Sequence, residues 1–286
     1  MNILVTGYNG QLANEIKTLA ASYKDLHRFV YTTEKELDIT QKEQVASFID
    51  QHNIECIINC AAYTDVDGAE DDEEGAFRVN DMAVGFMAEI AQQKHIFLMH
   101  ISTDYVFNGR HFKPYTEQDP TNPDSIYGKS KKAGELKILE KDAGMIIRTS
   151  WLYSATGKNF VNSIARLANE REELNVVFDQ IGNPTYARDL AGAILTILET
   201  PKEKLPKGIF HYSNEGVCSW YDFALEIRNL LQLNCKIHPI ESKDFPTRAA
   251  RPHFSVLNKA KIKETFQIKI PYWKDSLREM LKNFKN

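Results

Sequence analysis

An α/β fold built on a doubly wound parallel sheet, with a smaller C-terminal α/β unit, is what this 286-residue sequence predicts. Along the first half, short β-branched apolar runs alternate with helical patterns, and such runs read as strands buried on both faces. The first run empties into a glycine turn and then a helix, the order in which a glycine turn becomes a phosphate cradle. After residue 150 the alternation loses its regularity, which sets the smaller unit apart.

Composition bounds the function. With 43% hydrophobic residues, 26% charged residues and a net charge of −4, there is no electrostatic reason to expect nucleic acid or an anionic membrane as partner. No apolar run reaches the ~18 residues of a membrane span. Met1–Val5 leads straight into a strand instead of a signal peptide. Cys56, Cys60, Cys218 and Cys235 have neither C-x-x-C nor zinc-site spacing. Cys56 and Cys60 read as small core residues, and reduced thiols point to the cytoplasm.

Residues 2–6 (NILVT) form the first predicted strand, followed by Gly7-x-x-Gly10-x-x-Ala13 and a helix carrying Leu12, Ile16 and Leu19. Gly7 makes the tight turn, Gly10 admits a pyrophosphate close to backbone, and Ala13 lets helix pack on strand. This is the Rossmann arrangement. Residues 29–33 (FVYTT) are the second strand. It ends on threonines, Glu34 and Lys35, without the acid that grips a ribose 2′-OH, so NADPH and NADH both remain open. Thr40 is the expected N-cap of the helix through Val45 and Ile49. Residues 56–60 are the third strand, leaving into Ala61–Asp67.

The acidic run 69–74 (AEDDEE) opens a predicted long helix to about Gln93; acids in a first turn complement the helix dipole and are solvated. Residues 96–101 are the fourth strand. Ser102–Phe107 lies just past its carboxyl end, where open α/β sheets bind ligands. A proline-containing loop, 108–124, leads to the helix that holds Tyr127 and Lys131. Positions i and i+4 share one helix face. The ammonium should then lower the phenol's pKa, making Tyr127 a proton donor to a carbonyl that receives hydride, with Thr103 donating to the same oxygen. Residues 145–149 are the fifth strand. Beyond it come a helix at 159–172, a strand at 175–178, a turn-rich loop at 179–185 and a helix at 188–198. A core strand at 209–213, a helix at 220–233, a strand at 236–240 and a helix from 272 complete the pattern. Residues 1–150, rejoined by 179–213, are expected to form the dinucleotide half; 151–178 and 214–286 form the substrate half.

The glycine turn, Thr103 after the fourth strand, and Tyr127-x-x-x-Lys131 occur in the order of the extended short-chain dehydrogenase/reductase superfamily, which this chain resembles over its whole length. Finer motifs narrow the resemblance: Gly10-Gln11-Leu12, Asp38-Ile39-Thr40, residues 102–107 (STDYVF), 127–131 (YGKSK), 148–151 (RTSW), Asp179-Gln180-x-Gly182-x-Pro184-Thr185 and Ala250-Arg251-Pro252. Together they are similar to the dTDP-4-dehydrorhamnose reductase family. That resemblance implies reduction of the C4 keto group of dTDP-4-dehydro-L-rhamnose by NADPH or NADH. It assigns Tyr127 as proton donor and Lys131 as its partner and the ribose holder. Thr103, Asp104 and Trp151 border the sugar. Gly7, Gly10, Gln11 and Leu12 hold the pyrophosphate; Asp38 and Ile39 lie near the adenine; Ala62, Tyr63 and Thr64 line the middle of the cofactor. Arg251 suits the substrate's phosphates or, equally, a structural contact. Some relatives dimerise around magnesium, but no ligand set is assignable here, so no metal is expected and the chain is a monomer or homodimer.

Related activities resemble it less. The 4,6-dehydratases follow the Thr with two acids, whereas Tyr105 stands second here; the 4-epimerases carry Phe-Ile where Gln11-Leu12 stands. Another nucleotide-sugar reductase, or a non-catalytic NADP-binding subunit like the methionine adenosyltransferase β subunit, is the alternative.

Overall fold

The structure, a computed structural model, describes residues 1–282. Its centre is a parallel sheet of six strands: β1 (Asn2–Thr6), β2 (Arg28–Thr32), β3 (Cys56–Asn59), β4 (Phe97–Thr103), β5 (Gly144–Thr149) and the strand Gly208–His211. In space they run Gly208–His211, β5, β4, β3, β1, β2, so succession reverses direction at β1. A crevice opens outside the carboxyl ends at such a reversal.

Alternate strand residues feed two cores. Ile3, Val5, Ile58, Met99 and Met145 meet α1 (Gln11–Ala20) and the helix Ala187–Leu198 on one face. Leu4, Ile57, Leu98 and Ile146 meet α2 (Lys42–His52) and the helix Ala83–Lys94 on the other. Burial on both faces explains why these strands read as unbroken apolar runs. A third cluster joins the helices Phe160–Glu170, Trp220–Leu230 and Trp273–Lys282 around Phe223 and Trp273. Beside it the strands Glu173–Val177 and Lys236–Ile240 pair in parallel.

Two local expectations change. The stretch 68–94 is not one helix: it comprises Gly68–Asp71, Glu73–Phe77 capped by Asp72, a π-helical turn Arg78–Met82, and Ala83–Lys94. The acids are all exposed, as expected, and two of them also make contacts. Glu70 accepts from the Ile126 N–H at 2.8 Å and Asp71 pairs with Arg248. Thr40 is not an N-cap either; Gln41 holds that position, and Thr40 donates back to Asp38 Oδ1 at 2.7 Å.

One buried ion pair ties strands to helix. Glu135 accepts from Arg148 Nε (2.9 Å) and Nη2 (2.7 Å) of β5 and from Ser102 Oγ (2.5 Å) of β4, and both charged side chains are 3% exposed. Breaking such a pair leaves an uncompensated charge in a low dielectric. Glu135→Gln should therefore lower the unfolding free energy by about 3–5 kcal/mol in urea titrations; a loss under about 1 kcal/mol would show that the pair is not a keystone.

Candidate active site

Gly7 sits at φ +70°, and a Cβ there would lie 2.7 Å from the Ala61 nitrogen, so neither conformation nor space admits a side chain. Gly10 occupies the N-cap of α1, whose first turn carries no acid. The free N–H groups of that turn therefore present positive potential with no side chain in front of them. Gln11 Oε1 accepts from Ser154 Oγ (3.0 Å) and Asn159 Nδ2 (2.9 Å), which holds the 154–159 loop over the turn. A cleft of 520 Å3 opens here. Its lining includes Gly10, Gln11, Leu12, Ala62, Thr64, Thr103, Tyr127, Lys131 and Trp151. An acid-free helix start beside a turn framed by Gly7 and Gly10 fits a dinucleotide pyrophosphate.

The helix Ile126–Glu140 is placed by contacts that require its sequence. Ser125 Oγ caps it by accepting from the Gly128 N–H at 3.1 Å. A Cβ on Gly128 would come within 2.3 Å of the Tyr105 carbonyl oxygen, and one on Gly134 within 2.1 Å of the Asn80 carbonyl oxygen. Gly128 thus lets the helix settle against the exit of β4, and Gly134 lets it settle against the π-helical turn. Lys131 is 2% exposed; its Nζ donates to the Ile101 carbonyl at 2.7 Å and lies 3.2 Å from His100 Nε2. Burial pushes its pKa down to about 8, against the upward pull of Glu135 and Cys60.

The expected acidification of Tyr127 by Lys131 does not occur in this state. Burial drives the phenol well above its usual value, offset in part by a hydrogen bond with Thr103. The reason is geometric: the Lys131 side chain turns into β4, and desolvation outweighs the charge of a neighbour spent elsewhere. Thr103 Oγ1 accepts from the Tyr105 N–H (3.2 Å) and donates to Asp104 Oδ1 (3.1 Å). Asp104 is 2% exposed, and its Oδ2 has no partner. Burial lifts its pKa to about 6, with Ser255, Thr103 and backbone amides pulling the other way.

Trp151 adopts φ +46° and stacks on Trp220 with centroids 3.5 Å apart and planes 8° from parallel. A second cavity of 850 Å3 adjoins the cleft, lined by Phe160, Ile164, Leu167, Val176 and Phe245 together with Tyr105, Asp67 and Arg251. Arg251 donates to Asp67 Oδ2 at 2.6 Å and reaches Tyr105 Oη at 3.5 Å. It is held by a carboxylate, not by a carbonyl.

The structure brings Gly10, Gln11, Leu12, Ala62, Thr64, Thr103, Asp104, Tyr127, Lys131 and Trp151 to one cleft. Gly7 shapes its turn from behind. Asp38 and Ile39 lie outside it, Asp38 engaged with Thr40 and Ile39 buried. Tyr63 is tied through its backbone to Asn80. Asn80, His100 and Trp220 join the site without standing out in the sequence. Trp220, the residue after the capping Ser219, had a local helix-start signal; the others had none. Among the described residues no group of three or more His, Cys, Asp or Glu is arranged to hold a metal, and no helix is long and apolar enough to cross a membrane.

The whole chain, residues 1–286, matches the family model described as RmlD substrate binding domain. This chain belongs to that family. The RmlD-family relatives include the spore coat polysaccharide biosynthesis protein SpsK of Bacillus subtilis, 38% identical across 98% of this chain and 96% of its own. The dTDP-4-dehydrorhamnose reductase of Aggregatibacter actinomycetemcomitans is 38% identical over 97% of both chains. Among solved structures, a dTDP-4-dehydrorhamnose reductase from Bacillus anthracis in complex with NADP superposes with a TM-score of 0.93, at 35% identity, over 99% of each chain. The RmlD-family fold is thus kept at 35% identity.

Asp104 gives the site a pH signature. Its folded pKa, about 6, stands above the ordinary 3.8, so the folded state holds the proton more tightly, and stability falls as pH rises between those values. Asp104→Asn should stabilise the protein by on the order of 1–3 kcal/mol near pH 8 and by nothing near pH 4 in urea unfolding. An equal effect at both pH values would contradict this.

Proposed function

We propose that this protein reduces the C4 keto group of dTDP-4-dehydro-L-rhamnose with NADPH or NADH, giving dTDP-L-rhamnose for cell-surface polysaccharide. The observation that carries it is the meeting of Tyr127, Thr103 and Lys131 at a cleft fit for a dinucleotide, with a nucleotide-sized apolar cavity adjoining. The printed activity of the Aggregatibacter relative and the NADP in the Bacillus anthracis structure support the same reading.

A reduced nicotinamide supplies hydride when bound. Everything else falls to the chain. Tyr127, kept protonated by burial, is the acid that gives its proton to the ketone oxygen as negative charge develops there, and Thr103 donates to that oxygen. Lys131 holds the nicotinamide ribose. Gly10, Gln11 and Leu12 cradle the pyrophosphate, with Ala62, Tyr63 and Thr64 along the middle and Asp38 and Ile39 toward the adenine. Asp104 and Trp151 border the sugar. Arg251 reaches the nucleotide phosphates by exchanging Asp67 for a doubly charged group that suits its fork better. After β2, Glu36 accepts from the Thr33 N–H (2.7 Å) and hydroxyl (2.9 Å), which orients it and keeps it ionised.

We assign residues 1–150 and 179–213 to dinucleotide binding and residues 151–178 and 214–286 to substrate binding, a division supported by the separate cluster around Phe223 and Trp273. The partner is a nucleotide sugar, without nucleic acid or membrane. The protein works in the cytoplasm as monomer or homodimer.

With dTDP-4-dehydro-L-rhamnose as substrate, Tyr127→Phe should cut kcat by on the order of 10²–10⁴ while nucleotide binding survives; near-wild-type turnover would remove Tyr127 as the acid. Lys131→Met should both slow turnover and weaken NADPH binding in fluorescence titrations, and an effect on neither would take Lys131 out of the site.

A further inference from the structure

Beneath Lys131 runs a buried polar chain that the proposed chemistry leaves unused. Asn59 Oδ1 accepts from Thr6 Oγ1 at 2.6 Å and from the Ala61 N–H at 3.2 Å. Asn59 Nδ2 lies 3.0 Å from His100 Nδ1, and His100 Nε2 lies 3.2 Å from Lys131 Nζ. Thr6 is 1% exposed, and Asn59 and His100 are wholly enclosed, so water does not arbitrate between donors and acceptors here.

The directions of these hydrogen bonds follow from the inventory of each group. With its oxygen already accepting twice, Asn59 donates through Nδ2. His100 Nδ1 is then the acceptor, and the ring proton sits on Nε2. That N–H points at Lys131 Nζ. An ammonium has three donors and no lone pair, so it cannot receive the bond. A neutral amine can, while still donating to the Ile101 carbonyl.

We propose that His100, its tautomer fixed by Asn59, is a positioning residue that holds Lys131 as the neutral amine in the ligand-free protein. A charged Lys131 needs the opposite setting: ring proton on Nδ1, Nε2 accepting, and the Asn59 amide turned so that its oxygen faces the ring and Nδ2 faces Thr6 Oγ1. That second setting leaves the Thr6 hydroxyl proton without Asn59 Oδ1 as acceptor and turns an amide donor toward the Ala61 N–H, which keeps only Thr6 Oγ1 at 3.3 Å, so the buried array favours the neutral amine. The other charged or titratable groups near Lys131 do not decide between the two settings. Glu135, on the same helix, is committed to Arg148 of β5 and Ser102 of β4. Cys60, past β3, is a buried thiol pushed up to about 12. Tyr127 is held protonated, and Asp104, past β4, is bonded to Thr103. Burial, which keeps the His100 ring neutral and lowers Lys131, acts in the same direction.

The inference rests on the proposed role of Lys131 only where turnover is read, so two measurements avoid turnover. Long-range ¹H–¹⁵N correlation of the histidine side chains in ligand-free protein should show His100 protonated on Nε2; protonation on Nδ1 overturns the proposal. In Asn59→Asp the carboxylate only accepts, so the ring proton should move to Nδ1 and Lys131, followed by its ¹³Cε and ¹⁵Nζ shifts, should titrate roughly one pH unit or more higher. The alkaline limb of kcat/KM should move up with it. His100→Gln, whose amide oxygen can accept from the ammonium, should move both the same way if the buried Asp prevents folding. A merely structural role would lower stability and leave the Lys131 titration where it was, which would overturn the proposal. Wild-type protein that passes the spectroscopic tests but does not turn over the keto sugar would contradict the reductase activity alone.

Discussion

Lys131 is a long basic side chain enclosed by the end of a parallel sheet, and much of the molecule is arranged around putting it there. Enclosing an ammonium is costly unless it is partnered. The Ile101 carbonyl and His100 supply partners from β4, and they can do so only because the helix above comes unusually near. Gly128 permits that approach, and Gly134 permits the matching one to the π-helical turn, since any side chain at either would collide with backbone. Tyr127, one turn earlier, is carried to the mouth of the cleft by the same placement. The acid and the lysine are therefore positioned by one event, the seating of a helix, and not by two separate sets of contacts.

The cleft is held from both sides of the molecule. On the sheet side, the Glu135–Arg148 pair fixes the Tyr127 helix to β5, and Ser102 adds β4. On the other side, Gln11 reaches from the start of α1 to Ser154 and Asn159, so the glycine turn and the C-terminal cluster share a hydrogen-bonded seam. Val66, Tyr105 and Trp220 line both the cleft and the apolar cavity, and the Asp67–Arg251 pair lines the cavity. A ligand with a charged middle and a flat end matches that sequence of surfaces.

Much of this was legible in the chain. The buried strands announced themselves as β-branched runs, because burial on both faces removes the polar alternation that would blur them. Gly7 and Gly10 were readable because only a special turn needs them, and Tyr127 with Lys131 because helical spacing fixes their neighbourhood. What escaped was tertiary. Nothing local tells Arg148 that Glu135 will face it, or Asp67 that Arg251 will come from 184 residues away. The direction of the Tyr127 shift was misjudged for a related reason: spacing brings a lysine near, but burial and the turn of its side chain into β4 decide what that lysine does. The π-helical turn Arg78–Met82 was invisible because it answers to packing against the Tyr127 helix, where Asn80 bonds Ser130.

The most direct measurement follows the hydrogen itself. The protein is supplied with dTDP-4-dehydro-L-rhamnose and NADPH deuterated at the nicotinamide C4 in each stereochemical position, and the product is read by NMR. Deuterium from one of the two cofactors should appear at C4 of the sugar, bonded to carbon, in step with cofactor oxidation. Nucleotide binding with no deuterium at that carbon from either cofactor would contradict the account.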